Sequence, residues 1–331
     1  MIIIFSQVTD NSTNDIADWL IRFNKEFIRL NPADDDVKLE YINMEKNEIV
    51  FTVKGRKVDL LKAQSIWYRR KGIGNNMVKT DMNSLKGKNI YIEEEGSDRV
   101  SNHLKDELNV LLDYIFFKIE KEVPLKLGSR FKADPNKFVM MEVAKIHGLK
   151  TPETIITTSR EHIREIIRSR SGVINKALSN GVYFFAEKHA YYTYTEKLAA
   201  EFIDTLPDKI FPALIQPEIK KRYELRVFYL KGTFYSMAIF SQISQETQVD
   251  FRKKGRDVNT LVRYVPYLLP GHTKLALQHT LDELEMDTGS VDLIVDEKGD
   301  YYFLEVNHIG QFGWLSHYCN YSLEKKIAEA L

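Results

Sequence analysis

The sequence predicts a mixed α/β protein on three observations. Short apolar runs alternate with amphipathic helical spacing through residues 1–125, and residues 101–122 carry one strong apolar face. Near the end, two apolar runs flank a tight turn and carry acidic residues on a single side.

The elements follow in order from local spacing. Residues 2–6 read as a buried strand. Residues 14–29 place Ile16, Leu20, Phe23 and Phe27, with Leu30 beyond, at helical intervals. Strands are expected at 37–42, 49–53 and 65–68, the last followed by the basic run Arg69-Arg70-Lys71. Basic residues beyond a strand's carboxyl end can line a crevice, although a three-residue charge run is more often a solvated loop. The helix over 101–122 buries Leu104, Leu108, Leu111, Ile115 and Ile119 and should close a first domain, 1–125. Asp134-Pro135 then opens a helix that Gly148 and Pro152 terminate. Strands at 155–158 and 172–178 around a helix over 160–168 make a second domain, 126–210, and 211–331 a third.

Composition excludes several classes. The chain has 331 residues and is 44% hydrophobic, enough for a large core, and its 47 basic and 47 acidic residues cancel. Global charge therefore implies neither nucleic acid nor a membrane surface. A single cysteine, Cys319, excludes an internal disulfide framework and fits a reducing cytoplasm. Met1-Ile2-Ile3-Ile4-Phe5 is too short for an export signal, and no apolar run approaches the roughly 18 residues of a membrane span.

The chemistry concentrates near the end. Symmetric pairing about Lys298-Gly299 sets Asp292 opposite Glu305, and Asn307, two residues on, shares their face. Three oxygen donors in an otherwise apolar hairpin suit magnesium, which takes hard oxygen ligands from one or two carboxylates plus substrate phosphates. Lys176 interrupts the apolar strand 173–178, and a lysine in a buried strand needs an anion, with phosphate an obvious one. The turn Ser179-Asn180-Gly181 can approach a phosphate through backbone N–H groups, or be a plain hairpin turn. Glu224 and Arg226 share one face of an expected strand: an ordinary surface ion pair, or part of a nucleotide clamp.

Together the order of parts resembles the ATP-grasp ligases over residues 130–331: Lys137, Lys176, Gln216-Pro217-Glu218-Ile219, Glu224-Leu225-Arg226, Asp292 and Glu305-Val306-Asn307. More narrowly, the chain resembles graspetide maturases of the grasp-with-spasm type, related to microviridin ligases. Residues 65–70 (Ser-Ile-Trp-Tyr-Arg-Arg), Val249-Asp250-Phe251-Arg252, residues 305–313 and Cys319-Asn320-Tyr321 carry that likeness over nearly the full length. The resemblance implies an ATP-grasp fold with an N-terminal α/β domain and central and C-terminal ATP-grasp subdomains. It implies that Lys137 and Lys176 contact ATP phosphates, that Gln216, Glu218 and Ile219 form the adenine hinge, and that Glu224 reaches the ribose. Asp292, Glu305 and Asn307 would hold two magnesium ions, and Arg226 would stabilise the γ-phosphoryl group. His308 departs from the proline usual after Glu-x-Asn.

The same resemblance implies a precursor peptide as partner, with Asp250 and Arg252 contacting its leader and Arg69 and Arg70 its acidic core residues. The loop 245–263 around the first pair is otherwise a polar surface loop. The segment 183–189 is expected to close over nucleotide. Ester crosslinks through Thr or Ser are favoured over amides on family grounds alone, and a homodimer is likewise only a family expectation. Two other readings compete: an ATP-grasp ligase of amino acids or small metabolites, and a non-catalytic nucleotide binder. The second predicts a damaged metal set, whereas all three ligands and both lysines are present. Cys319 reads as a structural residue rather than a nucleophile.

Overall fold

The computed structural model describes residues 1–74, 77–78, 94–133, 136–170, 172–179, 181, 183–186, 189–192, 195–242 and 262–331. Two compact units result: residues 1–133 together with 322–331, and residues 134–321.

The first unit contains β1 (Ile2–Phe5), α1 (Asn11–Arg22), β2 (Phe27–Leu30), β3 (Val37–Asn43), β4 (Glu48–Val53), β5 (Arg56–Asp59), β6 (Ser65–Tyr68), α2 (Glu94–Glu122) and β7 (Leu125–Leu127). Strands β2-β1-β6-β7 form a parallel sheet, and β3-β4-β5 an antiparallel one. All four residues of β1 and of β6 are buried, as central parallel strands require. The helix expected over 14–29 is shorter and starts earlier. Asp10 caps it by accepting from Thr13 N, and Asn24 in the left-handed region (φ 54°) ends it. Phe23 and Phe27 keep helical spacing across that break, yet residues 27–30 leave the helix and pair with β1.

The second unit contains α3 (Lys137–Ile146), β8 (Ile155–Ser159), α4 (Arg160–Ser169), β9 (Val173–Lys176), β10 (Tyr183–Ala186), β11 (His189–Tyr192), β12 (Glu196–Lys197), α5 (Ala200–Asp204), β13 (Lys209–Pro217), β14 (Lys221–Leu230), β15 (Thr233–Phe240), β16 (Arg263–Tyr267), α6 (Gly271–Glu283), β17 (Thr288–Asp296), β18 (Tyr301–Asn307) and α7 (Gly313–Cys319). Strands β12-β9-β13-β8 form one antiparallel sheet, with Ile163, Ile166 and Ile203 of α4 and α5 packed on Val173 and Ile215. Strands β16-β15-β14-β17-β18 form a second. One of its faces buries Leu225, Val227 and Leu293 against Met140 of α3 and Leu277 and Leu281 of α6. β10 and β11 pair as a hairpin that takes in part of the expected closing segment 183–189. Residues 243–261, and with them Asp250 and Arg252, lie outside the described residues, as do Asp134, Pro135 and Asn180.

The final helix, α8 (Leu323–Ala330), belongs to the first unit and packs on α1. Leu323 and Ile327 are fully buried there, each worth about 1.5–3 kcal/mol by area. Lys25 Nζ donates to the Ala328 carbonyl at 2.9 Å, and Ser65 Oγ to the Leu331 carbonyl at 2.7 Å.

Candidate active site

The second sheet of the second unit presents its polar groups on the face away from the packed helices. Leu225, Val227, Val291 and Leu293 point into the core, so alternation turns Glu224, Arg226 and Asp292 the other way. Register then assembles them. Arg226 lies directly across from Asp292, and Asp292 directly across from Glu305, so three charged residues form one row over three strands. Ser290 and Asn307 form the next row on the same face.

The hairpin reaches this register by an unexpected route. Its loop is residues 297–299, closed by Gly299 N donating to the Asp296 carbonyl at 3.1 Å, with Gly299 at φ 88°. Asp296 Oδ1 also accepts from Lys298 N and Asp300 N at 2.9 and 2.8 Å. Pairing runs Val295 with Tyr301 through Leu293 with Phe303, and a bulge then leaves Leu304 over. That extra residue restores Asp292 to Glu305.

Arg226 Nη1 donates to both Asp292 oxygens at 2.8 Å, and Nη2 donates to the Gln311 carbonyl at 3.2 Å. Gly310 permits that approach, because a Cβ there would meet the Ser290 side chain at 2.5 Å and Arg226 Nη2 at 3.0 Å. The Glu305 side chain, half-buried, makes no hydrogen bond or ion pair with the described residues. Asn307 Oδ1 accepts from Ile309 N at 3.1 Å, which leaves its second lone pair open. Two carboxylates and an amide oxygen fit a magnesium ion completed by phosphate oxygens. Among the described residues no group of three His, Cys, Asp or Glu side chains gathers as a self-sufficient metal cage.

Lys176 ends β9 in the first sheet, where it lies across from Leu214. Burial pushes its amine below the usual lysine range, while Glu305 pulls it back up, followed by opposing effects of Lys137 and Asp292. Its charge therefore faces the acidic row. Lys137, the first residue of α3, donates to the carbonyls of Ala177 and Ser179 at 2.9 Å, close beside Lys176 in the chain. Burial raises the Glu224 carboxyl, opposed first by Lys221, which forms a short ion pair with Oε1; Ser241 Oγ donates to the same oxygen at 3.0 Å. Glu224 and Arg226 thus pair with other residues rather than with each other.

The residues expected as a hinge lie in the segment joining the two sheets. Gln216 is buried in β13 with Nε2 donating to Thr154 Oγ1 at 2.8 Å. Glu218 N donates to the Gly172 carbonyl at 2.9 Å and its carboxylate pairs with Lys197 at 2.8 Å, while Ile219 is half-buried in the linker to β14. In the first unit Arg69 and Arg70 both reach Asp10 Oδ2, at 3.2 and 2.9 Å. Lys221 reaches Glu224 although strand spacing alone would turn it to the opposite face. Cys319 is buried and its thiol pushed up to about 11, so it is expected to resist iodoacetamide at pH 8 until the protein is denatured; labelling of the native protein would contradict this.

No family model and no curated protein matches the sequence. Solved structures do. A RiPP-associated ATP-grasp ligase from Chryseobacterium gregarium, in complex with ADP and a leader and core peptide, is 22% identical, with 99% of this chain and 94% of that one aligned at a TM-score of 0.77. The macrocyclase MdnC from Microcystis aeruginosa, bound with its precursor peptide, is 20% identical over 100% and 98% of the two chains at a TM-score of 0.75. The chain has the ATP-grasp fold. The ATP-grasp ligase PsnB, complexed with a phosphomimetic variant of a minimal precursor, Mg and ADP, is 14% identical over 99% and 96% at a TM-score of 0.72. Within the ATP-grasp fold, the charged row belongs to the larger sheet, Lys176 to the smaller, and Gln216, Glu218 and Ile219 to the strand and linker between.

Proposed function

We propose that this ATP-grasp protein is an ATP-dependent peptide macrocyclase, a graspetide maturase. The observation that carries the reading is the row Arg226–Asp292–Glu305 with the Lys176 charge facing it, a surface built to hold a polyanion and its counter-ions. The extent of the fold likeness to peptide-bound ATP-grasp ligases supports peptide over small-molecule substrates.

A carboxylate is a poor electrophile, so a Glu or Asp side chain of the precursor first attacks the γ-phosphorus of ATP, releasing ADP and forming an acyl phosphate. A neighbouring Thr or Ser hydroxyl, or a Lys amine, then attacks the acyl carbon, and inorganic phosphate leaves with its electron pair. The product is an ω-ester or ω-amide ring. Lys137 and Lys176 bind the phosphates, and Arg226 stabilises the charge on the transferring group. Backbone groups at Gln216, Glu218 and Ile219 hold the adenine, and Glu224 takes the ribose. Asp292, Glu305 and Asn307 would hold two magnesium ions, which would supply neutralisation of the triphosphate. Arg69 and Arg70, drawn together by Asp10, bind acidic core side chains, while Asp250 and Arg252 contact the leader. Among the described residues no helix is long and apolar enough to cross a membrane. A reducing cytoplasm, where such peptides are made, is the proposed setting.

Mass spectrometry of an acidic, Thr/Ser/Lys-containing peptide encoded beside the gene for this protein, incubated with the protein, ATP and magnesium, tests this. Each crosslink is expected to remove one water, about 18 Da, only when ATP is present. An unchanged peptide mass with a folded, nucleotide-binding protein would replace the reading by an amino-acid or metabolite ligase.

A further inference from the structure

We propose that Lys221 is a positioning residue that fixes Glu224 and thereby sets how the protein reads the sugar of its nucleotide. The inference rests on the reading of Glu224 as the ribose contact and adds a residue to it. In a regular strand, residues three apart face opposite ways. Here pairing between β14 and β17 shifts between Lys221, opposite Asp296, and Tyr223, opposite Val295, so Arg222 is a bulge residue. The bulge turns Lys221 to the face that carries Glu224.

The two anchors divide the carboxylate. Lys221 Nζ and Ser241 Oγ both engage Oε1, whereas Oε2 accepts nothing from the described residues. The side chains of Lys221 and Glu224 are only 7% and 14% exposed, so this is an enclosed contact rather than a surface pair. Burial favours the neutral carboxyl, and Lys221 is the largest influence in the other direction. An ionised carboxylate tied down at Oε1 offers Oε2 purely as an acceptor, the role that the hydroxyls of a vicinal diol require. Without Lys221 the group is freer to rotate and to take up a proton, and a protonated carboxyl is a poorer, less selective acceptor.

The test is nucleotide affinity by calorimetry for ATP, 2′-deoxy-ATP and 3′-deoxy-ATP, with turnover measured alongside. Wild type is expected to favour ATP over at least one deoxy analogue by about tenfold or more, as for a hydrogen bond to a charged group. In Lys221→Met that preference should shrink to about twofold and ATP affinity fall by about tenfold, while kcat at saturation stays within roughly threefold. Lys221→Arg should restore most of the preference, which loss of packing alone would not predict. If Lys221→Met fails to fold, Lys221→Gln removes the charge while keeping a polar side chain at Oε1 and should weaken the same preference. Wild-type discrimination retained in folded Lys221→Met, or in Lys221→Gln where that variant carries the test, would overturn the proposal and leave the Glu224 assignment intact. A wild type that binds ATP without discriminating would instead remove the Glu224 assignment and the proposal with it.

Discussion

Asp292→Asn and Glu305→Gln are each expected to abolish ATP-dependent product formation, with losses on the order of 10³-fold or more, while the protein remains folded. Both side chains lie at strand centres on the polar face, and neither contributes to the core beneath. The Glu305 side chain makes no hydrogen bond or ion pair with the described residues, yet its charge favours the buried Lys176 ammonium, so its amide variant should lose only a little stability. Asp292 also neutralises Arg226, whose side chain is 13% exposed, so its asparagine variant should be modestly less stable as well as inactive. Turnover by mass spectrometry and melting by circular dichroism separate the two effects. Activity retained in both variants would eliminate the acidic pair as the ion-holding element.

Lys176→Met should do the reverse to stability: the apo protein is expected to become more stable at pH 7 while ATP-dependent activity falls by about 10²-fold or more. The sign follows from the direction of the shift. Burial holds the folded amine below its ordinary value of 10.5, so between the folded and unfolded values the unfolded chain binds the extra proton. Wild-type stability therefore rises with pH through that window, and at or below neutrality the folded state still bears a cost that methionine removes. The gap between variant and wild type should narrow as pH approaches 10.5. ATP with magnesium should stabilise the wild type far more than the variant. Denaturation midpoints at pH 7 and pH 9.5, with and without nucleotide, report all three effects. A variant less stable than wild type at pH 7 would mean that the lysine is mainly structural.

Local chemistry carried much of this in the sequence, and what it missed was non-local. The strand 65–68 and the hairpin facing of Asp292 and Glu305 were readable because period-two alternation and a turn signal determine them. The hairpin register itself came out through two offsets that alternation does not reveal, a loop centred one half-residue away and a bulge at Leu304. Lys221 was hidden for the same kind of reason: a bulge at Arg222 reverses the facing that its spacing implies. The contact between Arg226 and Asp292 depends on β14 lying beside β17, a neighbour 66 residues away that no local pattern specifies. Beyond α1, Phe23 and Phe27 kept helical spacing across a break made by the backbone at Asn24, so periodicity overran the element.

The return of α8 to the first unit has a consequence for how the protein is made. The ribosome emits residues 1–133, then all of 134–321, and only afterwards the ten residues that complete the first unit. Until then α1 lacks the helix that packs on it, Leu323 and Ile327 are not yet made, and Ser65 lacks its acceptor at Leu331. Synthesis proceeds at about 5–20 residues per second, slow beside the folding of a domain of this size, so the second unit can be finished while the first still waits. The unit begun earlier is thus the later to close, and its unsealed seam is what a nascent-chain chaperone would meet.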